Sequence, residues 1–243
     1  MVPTGNEKRR FVRDKFASVA SRYDLLNSLL SLKIDSYWRL ITAKELKKRI
    51  KGPILDLCAG TLPLSSELAK RTKEMVIAVD FCYEMIRCGS LRLKGARPAR
   101  RIAPVCGDGE GLPLKDAIFS GVTVAFGVRN LSQIDKGLKE MLRVLKPGGK
   151  LVMLEFSRPQ GLFFSRIYNF YLHRLLPVLG SLISGDKEAY RYLADSIQTF
   201  YAPRDMADLM TRAGFININY RPLTFGIVTL YTGIKRSCNQ KTD

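Results

Sequence analysis

The chain has 243 residues, enough for one large domain or one domain carrying an inserted cap. Hydrophobic residues make up 46% and charged residues 26%, which allows a sizeable core and excludes a disordered chain. Against 40 Lys and Arg stand 22 Asp and Glu, so the net charge is +18 and the surface favours polyanions such as nucleic acid or anionic lipid headgroups.

The positive excess begins early, with Lys8, Arg9, Arg10, Arg13 and Lys15, and continues at Lys44, Lys47, Lys48, Arg49 and Lys51. No zinc-finger spacing or aromatic RNA-binding strand accompanies it, so nucleic acid is not an expected partner. Cys58, Cys82, Cys88, Cys106 and Cys238 are scattered without a C-x-x-C pair. That points to free thiols in a reducing cytosol, with no metal site. Met1–Arg10 lacks the apolar run of a signal peptide, and no apolar run is long enough to span a bilayer. The expected location is cytoplasmic, or peripheral on the inner face of a membrane.

Residues 1–51 read as an N-terminal helical cap. Phe16, Val19, Ala20, Tyr23, Leu26 and Leu30 recur at spacings of three and four, and Ile34, Trp38, Leu40, Ile41 and Leu46 continue the pattern in a second helix opening near Asp35. Gly52-Pro53 ends it. In residues 52–160 short apolar runs alternate with helical stretches. Ile54–Leu57, Met75–Val79, Ile102–Val105, Gly121–Phe126 and Leu151–Phe156 read as strands buried on both faces. Ser65–Arg71, Tyr83–Leu93 and Ile134–Leu145 read as helices, the last closed by Lys146-Pro147-Gly148-Gly149. An α/β fold with a parallel, doubly wound sheet follows.

Residues 161–200 carry no strand signal but many large side chains, among them Phe163, Phe164, Tyr168, Phe170, Leu176 and Leu179, and read as a helical lid. In residues 201–235 a helix around Asp205–Ala213 stops at Gly214. Phe215–Tyr220 and Gly226–Tyr231 then form two strands whose short connection requires antiparallel pairing. A single domain with a seven-stranded sheet closed by an antiparallel C-terminal hairpin resembles the class I methyltransferases.

Ligands of an open parallel sheet bind beyond the carboxyl ends of its strands. The first strand runs out through Asp56-Leu57-Cys58-Ala59-Gly60-Thr61, where small residues admit a ligand to the backbone. The helix that follows favours a carboxylate at its N-terminus. Asp80, twenty residues beyond Gly60, can accept both hydroxyl hydrogen bonds of a ribose. The third strand ends Cys106-Gly107-Asp108-Gly109, where Asp108 can accept from an adenine amino group and Gly109 leaves room for the ring. There is no G-x-G-x-x-G fingerprint and no Walker lysine. The ligand that fits is S-adenosylmethionine, which offers a carboxylate, a ribose and an adenine without phosphate. Asp56, Gly60, Thr61, Asp80, Asp108 and Gly109 are the cofactor-binding candidates.

The stretch Phe16-Ala17-Ser18-Val19-Ala20-Ser21-Arg22-Tyr23-Asp24 resembles the N-terminal signature of the ubiquinone/menaquinone biosynthesis C-methyltransferases. So do Ala125-Phe126-Gly127-Val128-Arg129-Asn130-Leu131, Leu154-Glu155-Phe156-Ser157, Gly185-Asp186 and Tyr190-Arg191-Tyr192-Leu193. The similarity runs in order from about residue 11 to Lys235. It implies transfer of a methyl group from S-adenosylmethionine to a ring carbon of a prenylated quinol. One departure stands in the cofactor loop: Leu62 and Pro63 replace a small residue and an acid, and Leu62 could crowd the methionine end of the cofactor.

The ring carbon becomes nucleophilic when a phenolic proton is removed or hydrogen-bonded. His173, the only histidine, lies in an amphipathic run and reads as a structural residue. Arg129 and Asn130 follow the fourth strand at the ligand edge and are the catalytic candidates, Arg129 to stabilise a phenolate or hold a water and Asn130 to orient it. The bland alternative for Arg129 is a pair with Glu155. Tyr23 and Tyr190 are candidate substrate-binding residues of the lid. Expected partners are the prenylated quinol, an anionic membrane surface and a second copy in a homodimer. The rival readings are methylation of another lipid or phenolic acceptor, and a non-catalytic S-adenosylmethionine-binding scaffold.

Overall fold

Seven runs rich in Val, Ile and Leu pair into one mixed sheet of order β3-β2-β1-β4-β5-β7-β6. The computed structural model describes residues 5–24, 28, 31, 33–47, 50–159, 161–175, 178 and 187–237. Leu26, Leu30, Leu176, Leu179, Gly185, Asp186 and Cys238, singled out above, lie outside the described residues, as do the side chains of Phe163 and Tyr190.

The parallel strands are β1 (Ile54–Leu57), β2 (Val76–Asp80), β3 (Ile102–Cys106), β4 (Phe119–Ala125) and β5 (Leu145–Phe156). β6 (Phe215–Leu223) and β7 (Val228–Lys235) close the sheet, with β7 antiparallel to both β5 and β6. Helices α1 (Gly5–Val19) and α2 (Ile34–Lys47) precede the sheet, and α3 (Pro63–Arg71) and α4 (Tyr83–Leu93) connect its first strands. The remaining helices are α5 (Ile134–Val144), α6 (Leu162–Phe170), α7 (Lys187–Gln198) and α8 (Pro203–Ala213). Pro at the start of α3 and α8, and Gly214 at φ 105 after α8, supply the usual start and stop.

Alternate residues of each strand point to opposite faces, so two cores form. Leu55, Leu57, Val122, Val124, Leu151 and Met153 pack with Leu138 and Met141 of α5 and Leu209 and Met210 of α8. Ile54, Val76, Ala78, Val152, Leu154 and Leu230 pack with Trp38 and Leu46 of α2 and Leu64 and Leu68 of α3.

Two boundaries differ from the sequence reading. Lys146-Pro147-Gly148-Gly149 is a bulge inside β5 rather than a helix stop: Phe119 pairs with Leu145 and Gly121 with Lys150, so the extra residues loop out of the ladder. The C-terminal strands also run longer than expected, because the turn is the short 3-10 segment Thr224–Gly226 rather than all of residues 221–225. Cys58, Cys82, Cys88 and Cys106 are free thiols. Among the described residues no helix is long and apolar enough to cross a membrane.

Trp38 ties α2 to the ligand edge of the sheet. It is 4% exposed, its ring lies 6.0 Å from Phe126 and 6.2 Å from Phe156, and its Nε1 donates to Thr224 Oγ1 at 2.8 Å. Trp38→Phe removes one hydrogen bond and some volume, and is expected to cost about 1 kcal/mol. Trp38→Ala opens a cavity and should cost about 3–5 kcal/mol. Chemical denaturation measures both.

Candidate active site

The strand order reverses between β1 and β4, and the loops that leave the carboxyl ends of the parallel strands converge there. The loop after β1 is the tightest of them. Cys58 (φ 54), Gly60 (φ 55) and Leu62 (φ 67) all take the left-handed conformation, which bends the chain sharply into α3. The Gly60 amide donates to Asp80 Oδ2 at 2.8 Å and the Cys82 amide to Asp80 Oδ1 at 2.9 Å. Both oxygens are thus held by backbone amides rather than by a cation. Burial pushes the Asp80 carboxyl up to about 6 against the opposing bonds from Cys82, Gly60 and Phe81.

Thr61 is 2% exposed, and its hydroxyl donates to Asp24 Oδ1 at 2.6 Å. Asp24 also pairs with Arg92, whose Nη2 donates to the Thr61 carbonyl at 2.9 Å. The segment after α1 therefore reaches across and fastens the cofactor loop. α4 lies hard against the same loop, since a Cβ at Gly89 would sit 2.5 Å from the Thr61 carbonyl oxygen.

Leu62 does not crowd the cofactor side. It is 1% exposed, packs in the core shared with α2 and α3, and has the bare face of Gly89 beside it. The left-handed backbone turns the side chain inward.

Asp56 takes a different place from the one expected. It is 1% exposed, and its oxygens accept from Ser65 Oγ at 2.5 Å and Thr123 Oγ1 at 2.9 Å. The carboxylate sits within β1 rather than beyond its end, where it joins α3 and β4 to the strand instead of facing a ligand.

Asp108 and Gly109 stand at the end of β3 as expected. Asp108 Oδ1 accepts from the Glu110 amide at 2.9 Å, and Arg9 Nη2 lies 3.1 Å from Oδ2. A Cβ at Gly109 would meet Leu57 at 3.3 Å. Glu110, 2% exposed, accepts from Arg9 Nη2 at 2.6 Å and from the Ser132 amide at 2.6 Å. α1 thus covers the β3 corner.

After β4 the chain makes the 3-10 turn Val128–Asn130. Gly127 permits it, because a Cβ there would come 2.3 Å from the Cys58 Cβ. Arg129 is 6% exposed and Glu155 is fully buried. Arg129 Nη1 donates to Glu155 Oε1 at 2.7 Å and to the Phe126 carbonyl at 2.5 Å, while the Arg129 amide donates to Glu155 Oε2 at 3.2 Å. The guanidinium lies 5.2 Å from the Phe156 ring centroid. Burial opposes its charge, and the Glu155 carboxylate more than offsets this, so Arg129 is held above its ordinary pKa. The pairing with Glu155 is therefore present, and it leaves Arg129 Nε buried without a hydrogen-bond partner.

Asn130 Oδ1 accepts from the Tyr192 hydroxyl at 3.1 Å, and burial pushes that hydroxyl up to about 12. Tyr23 is half-buried, stands edge-on to Phe16 at 5.7 Å, and lies within electrostatic reach of Arg129. Tyr190 falls on α7. His173 is exposed on the turn after α6. Burial, with the carboxylates of Asp80 and Glu155, pushes the Cys58 thiol up from its ordinary pKa.

Sequence reasoning missed Lys8, Arg9, Asp24, Glu110, Arg92 and Tyr168. Lys8 Nζ donates to the carbonyls of Arg129 at 2.9 Å and Leu131 at 2.8 Å. Lys8, Arg9 and Lys15, read as part of an outward basic cluster, are bonded within the molecule. Tyr168 of α6 belongs to the small cluster that Phe156 packs against, its hydroxyl is buried without a partner among the described residues, and it lies within electrostatic reach of Arg129. Asp24 and Glu110 follow motif residues directly, which is the one signal that pointed to them.

S-adenosylmethionine fits what these residues offer. A buried carboxylate fixed by amides suits a neutral ribose, and the turn into α3 has small residues but no phosphate cradle. The sheet with its antiparallel closing strands and this edge define a class I S-adenosylmethionine-dependent methyltransferase. The profile of the ubiE/COQ5 methyltransferase family matches residues 3–235, and the chain belongs to that family. A relative in Geobacter sulfurreducens, named ubiquinone/menaquinone biosynthesis C-methyltransferase UbiE, is 43% identical over 231 residues, covering 94% of this chain and 90% of its own. The protein of the same name in Pseudomonas aeruginosa is 39% identical over 233 residues, covering 95% and 91%. A solved S-adenosylmethionine-dependent methyltransferase of Thermotoga maritima superposes with a TM-score of 0.66 at 19% identity, covering 92% of this chain and 99% of its own. The chain is a methyltransferase and S-adenosylmethionine is its cofactor.

Two outcomes are expected. Ribose hydroxyls donate to the ionised form of Asp80, so cofactor affinity is full above pH of about 6 and falls as the pH drops through that value. Calorimetry across that range should show this for the native chain and a flat, weaker profile for Asp80→Asn. Gly89→Ala forces the Thr61 carbonyl aside, and is expected to cost about 1–3 kcal/mol of stability and to weaken cofactor binding.

Proposed function

We propose that this methyltransferase carries out C-methylation of the ring of a prenylated quinol, in menaquinone or ubiquinone biosynthesis. The observation that carries the reading is two buried polar groups without partners among the described residues: Arg129 Nε, whose guanidinium lies over the Phe156 ring, and the hydroxyl of Tyr168, in the cluster that Phe156 packs against. Each such group costs about 1–3 kcal/mol unless an acceptor arrives. A phenolic oxygen is an acceptor of the right kind for both. The names of the relatives in Geobacter sulfurreducens and Pseudomonas aeruginosa point the same way.

The cofactor supplies an electrophilic methyl group with a thioether leaving group, so the chain's own work is positioning and charge stabilisation. Glu155 fixes the Arg129 guanidinium by two contacts, one to the side chain and one to the amide, so the donor is aimed before substrate binds. Arg129 and Tyr168 then hydrogen-bond the phenolic oxygen as negative charge develops there, which raises electron density at the adjacent ring carbon. Asn130, held by Tyr192, belongs to the same turn and orients a water that takes the phenolic proton, the phenol being re-formed and the ring hydrogen released as a proton to solvent after methyl transfer. Trp38, Phe126 and Phe156 form an aromatic wall for the ring. Tyr23 and Tyr190 belong in this reading to the substrate-facing lid.

A cavity of about 460 Å³ borders the far side of the Arg129 turn, lined among others by Lys8, Ser132, Lys136 and Thr199. That lining is too polar for an isoprenoid tail. The tail is better served on the side of α6 and Phe156, and a membrane in which it dissolves makes peripheral membrane association part of this proposal.

Methyl transfer from labelled S-adenosylmethionine to reduced demethylmenaquinone and to the matching demethyl benzoquinol, both in detergent, tests the reading. Turnover on at least one ring is expected. Arg129→Lys keeps a charge toward Glu155 but has no Nε donor; its kcat should fall about 100-fold with cofactor affinity unchanged. Tyr168→Phe should lose about tenfold. Absence of turnover on both rings, with the cofactor still bound, would turn the assignment toward another phenolic acceptor or a binding role without chemistry.

A further inference from the structure

Two phenylalanines face each other at the protein surface. Phe164 of α6 and Phe225 of the turn between β6 and β7 stack with ring centroids 4.7 Å apart and planes 9° from parallel. They remain 44% and 71% exposed. Phe225 is held at φ 56, a left-handed backbone that is costly for a bulky side chain. Core packing does not explain strain spent on a ring that stays outside. Phe170, at the end of α6, is exposed as well.

The two segments that carry the pair hold charge of one sign. From Phe156 to Gly185 the sequence contains Arg158, Arg166 and Arg174 and no Asp or Glu. From Leu209 to Thr242 it contains Arg212, Arg221, Lys235, Arg236 and Lys241, again without an acid. Both segments that carry the aromatic pair are therefore cationic throughout, and Arg158, Arg166 and Arg221 are exposed. A second copy across a two-fold axis would bring like charge against like. An anionic bilayer complements both features, with aromatic rings at interfacial depth and cations among the headgroups.

The patch is also continuous with the reaction edge. Thr224, next to Phe225, accepts from Trp38, which packs on Phe126 and Phe156 beside Arg129. We propose that the Phe164–Phe225 pair is the wedge by which this protein seats on an anionic bilayer, with Arg158, Arg166 and Arg221 at headgroup level. This turns the aromatic wall of the acceptor site toward the lipid. The inference rests on the reading that the acceptor is a membrane-dissolved prenylated quinol, and it names the surface that meets the membrane.

Flotation with vesicles of phosphatidylglycerol and phosphatidylcholine in equal parts, at low salt, tests it. The native chain floats, and pure phosphatidylcholine vesicles bind it more weakly. Phe225→Asn, which suits a left-handed backbone, and Phe164→Gln each weaken binding about tenfold, with melting temperature and cofactor affinity unchanged. Phe225→Trp keeps the ring and retains binding. A double variant that floats as well as the native chain overturns the wedge while leaving membrane association standing. A native chain that does not float overturns both. A dimer in solution that the double variant abolishes assigns the pair to a second copy instead.

Discussion

The buried pair of Arg129 and Glu155 is the interaction on which the acceptor edge depends. Glu155 lies in the buried second half of β5, next to its end, and Arg129 sits on the turn that leaves the strand beside it. Glu155 holds the Arg129 guanidinium and amide, and its Oε1 also accepts from the Phe156 amide at 2.9 Å. One carboxylate thereby fixes the turn, the guanidinium and the ring on which that guanidinium lies. Two charges so deeply buried are costly to desolvate, and a neutral acceptor at position 155 would serve the backbone amides without that cost. The arrangement makes sense when the guanidinium is needed as a fixed donor.

A second constraint governs the cofactor edge. Asp80 is locked by the amides of Gly60 and Cys82, and the loop that supplies Gly60 is itself strained into three left-handed residues. α1 and the segment after it lie across both edges. Arg9 meets Asp108 and Glu110, Lys8 meets the carbonyls of the Arg129 turn, and Asp24 meets Thr61. The N-terminal region therefore ties the loops after β1, β3 and β4 to one another through hydrogen bonds and ion pairs.

Much of this was legible in the sequence because burial on both faces leaves strands as unbroken apolar runs and because turn residues mark their ends. The antiparallel hairpin followed from a connection too short for a crossover. The side-chain partnerships were less legible. A cationic cluster looks the same in sequence whether its partners are outside the molecule or, as for Lys8 and Arg9, within it. Asp56 looks like a site acid from its position near a strand end, yet Ser65 and Thr123 enclose it. Leu62 looked obstructive because its left-handed backbone, which reverses the direction of the side chain, is invisible in the residue name. The Lys-Pro-Gly-Gly stretch has the composition of a helix stop, and only pairing with β4 reveals the bulge.

In the proposed reaction the Arg129–Glu155 pair serves the chemistry and not the fold. The most direct measurement is methyl transfer by the double variant Arg129→Met, Glu155→Gln, whose side-chain oxygen can still accept from a backbone amide, read together with its melting temperature. The expected result is a folded protein of near-native stability that binds S-adenosylmethionine normally and methylates the quinol at least about 100-fold more slowly. A double variant that turns over near the native rate would contradict it and return the pair to a purely structural role.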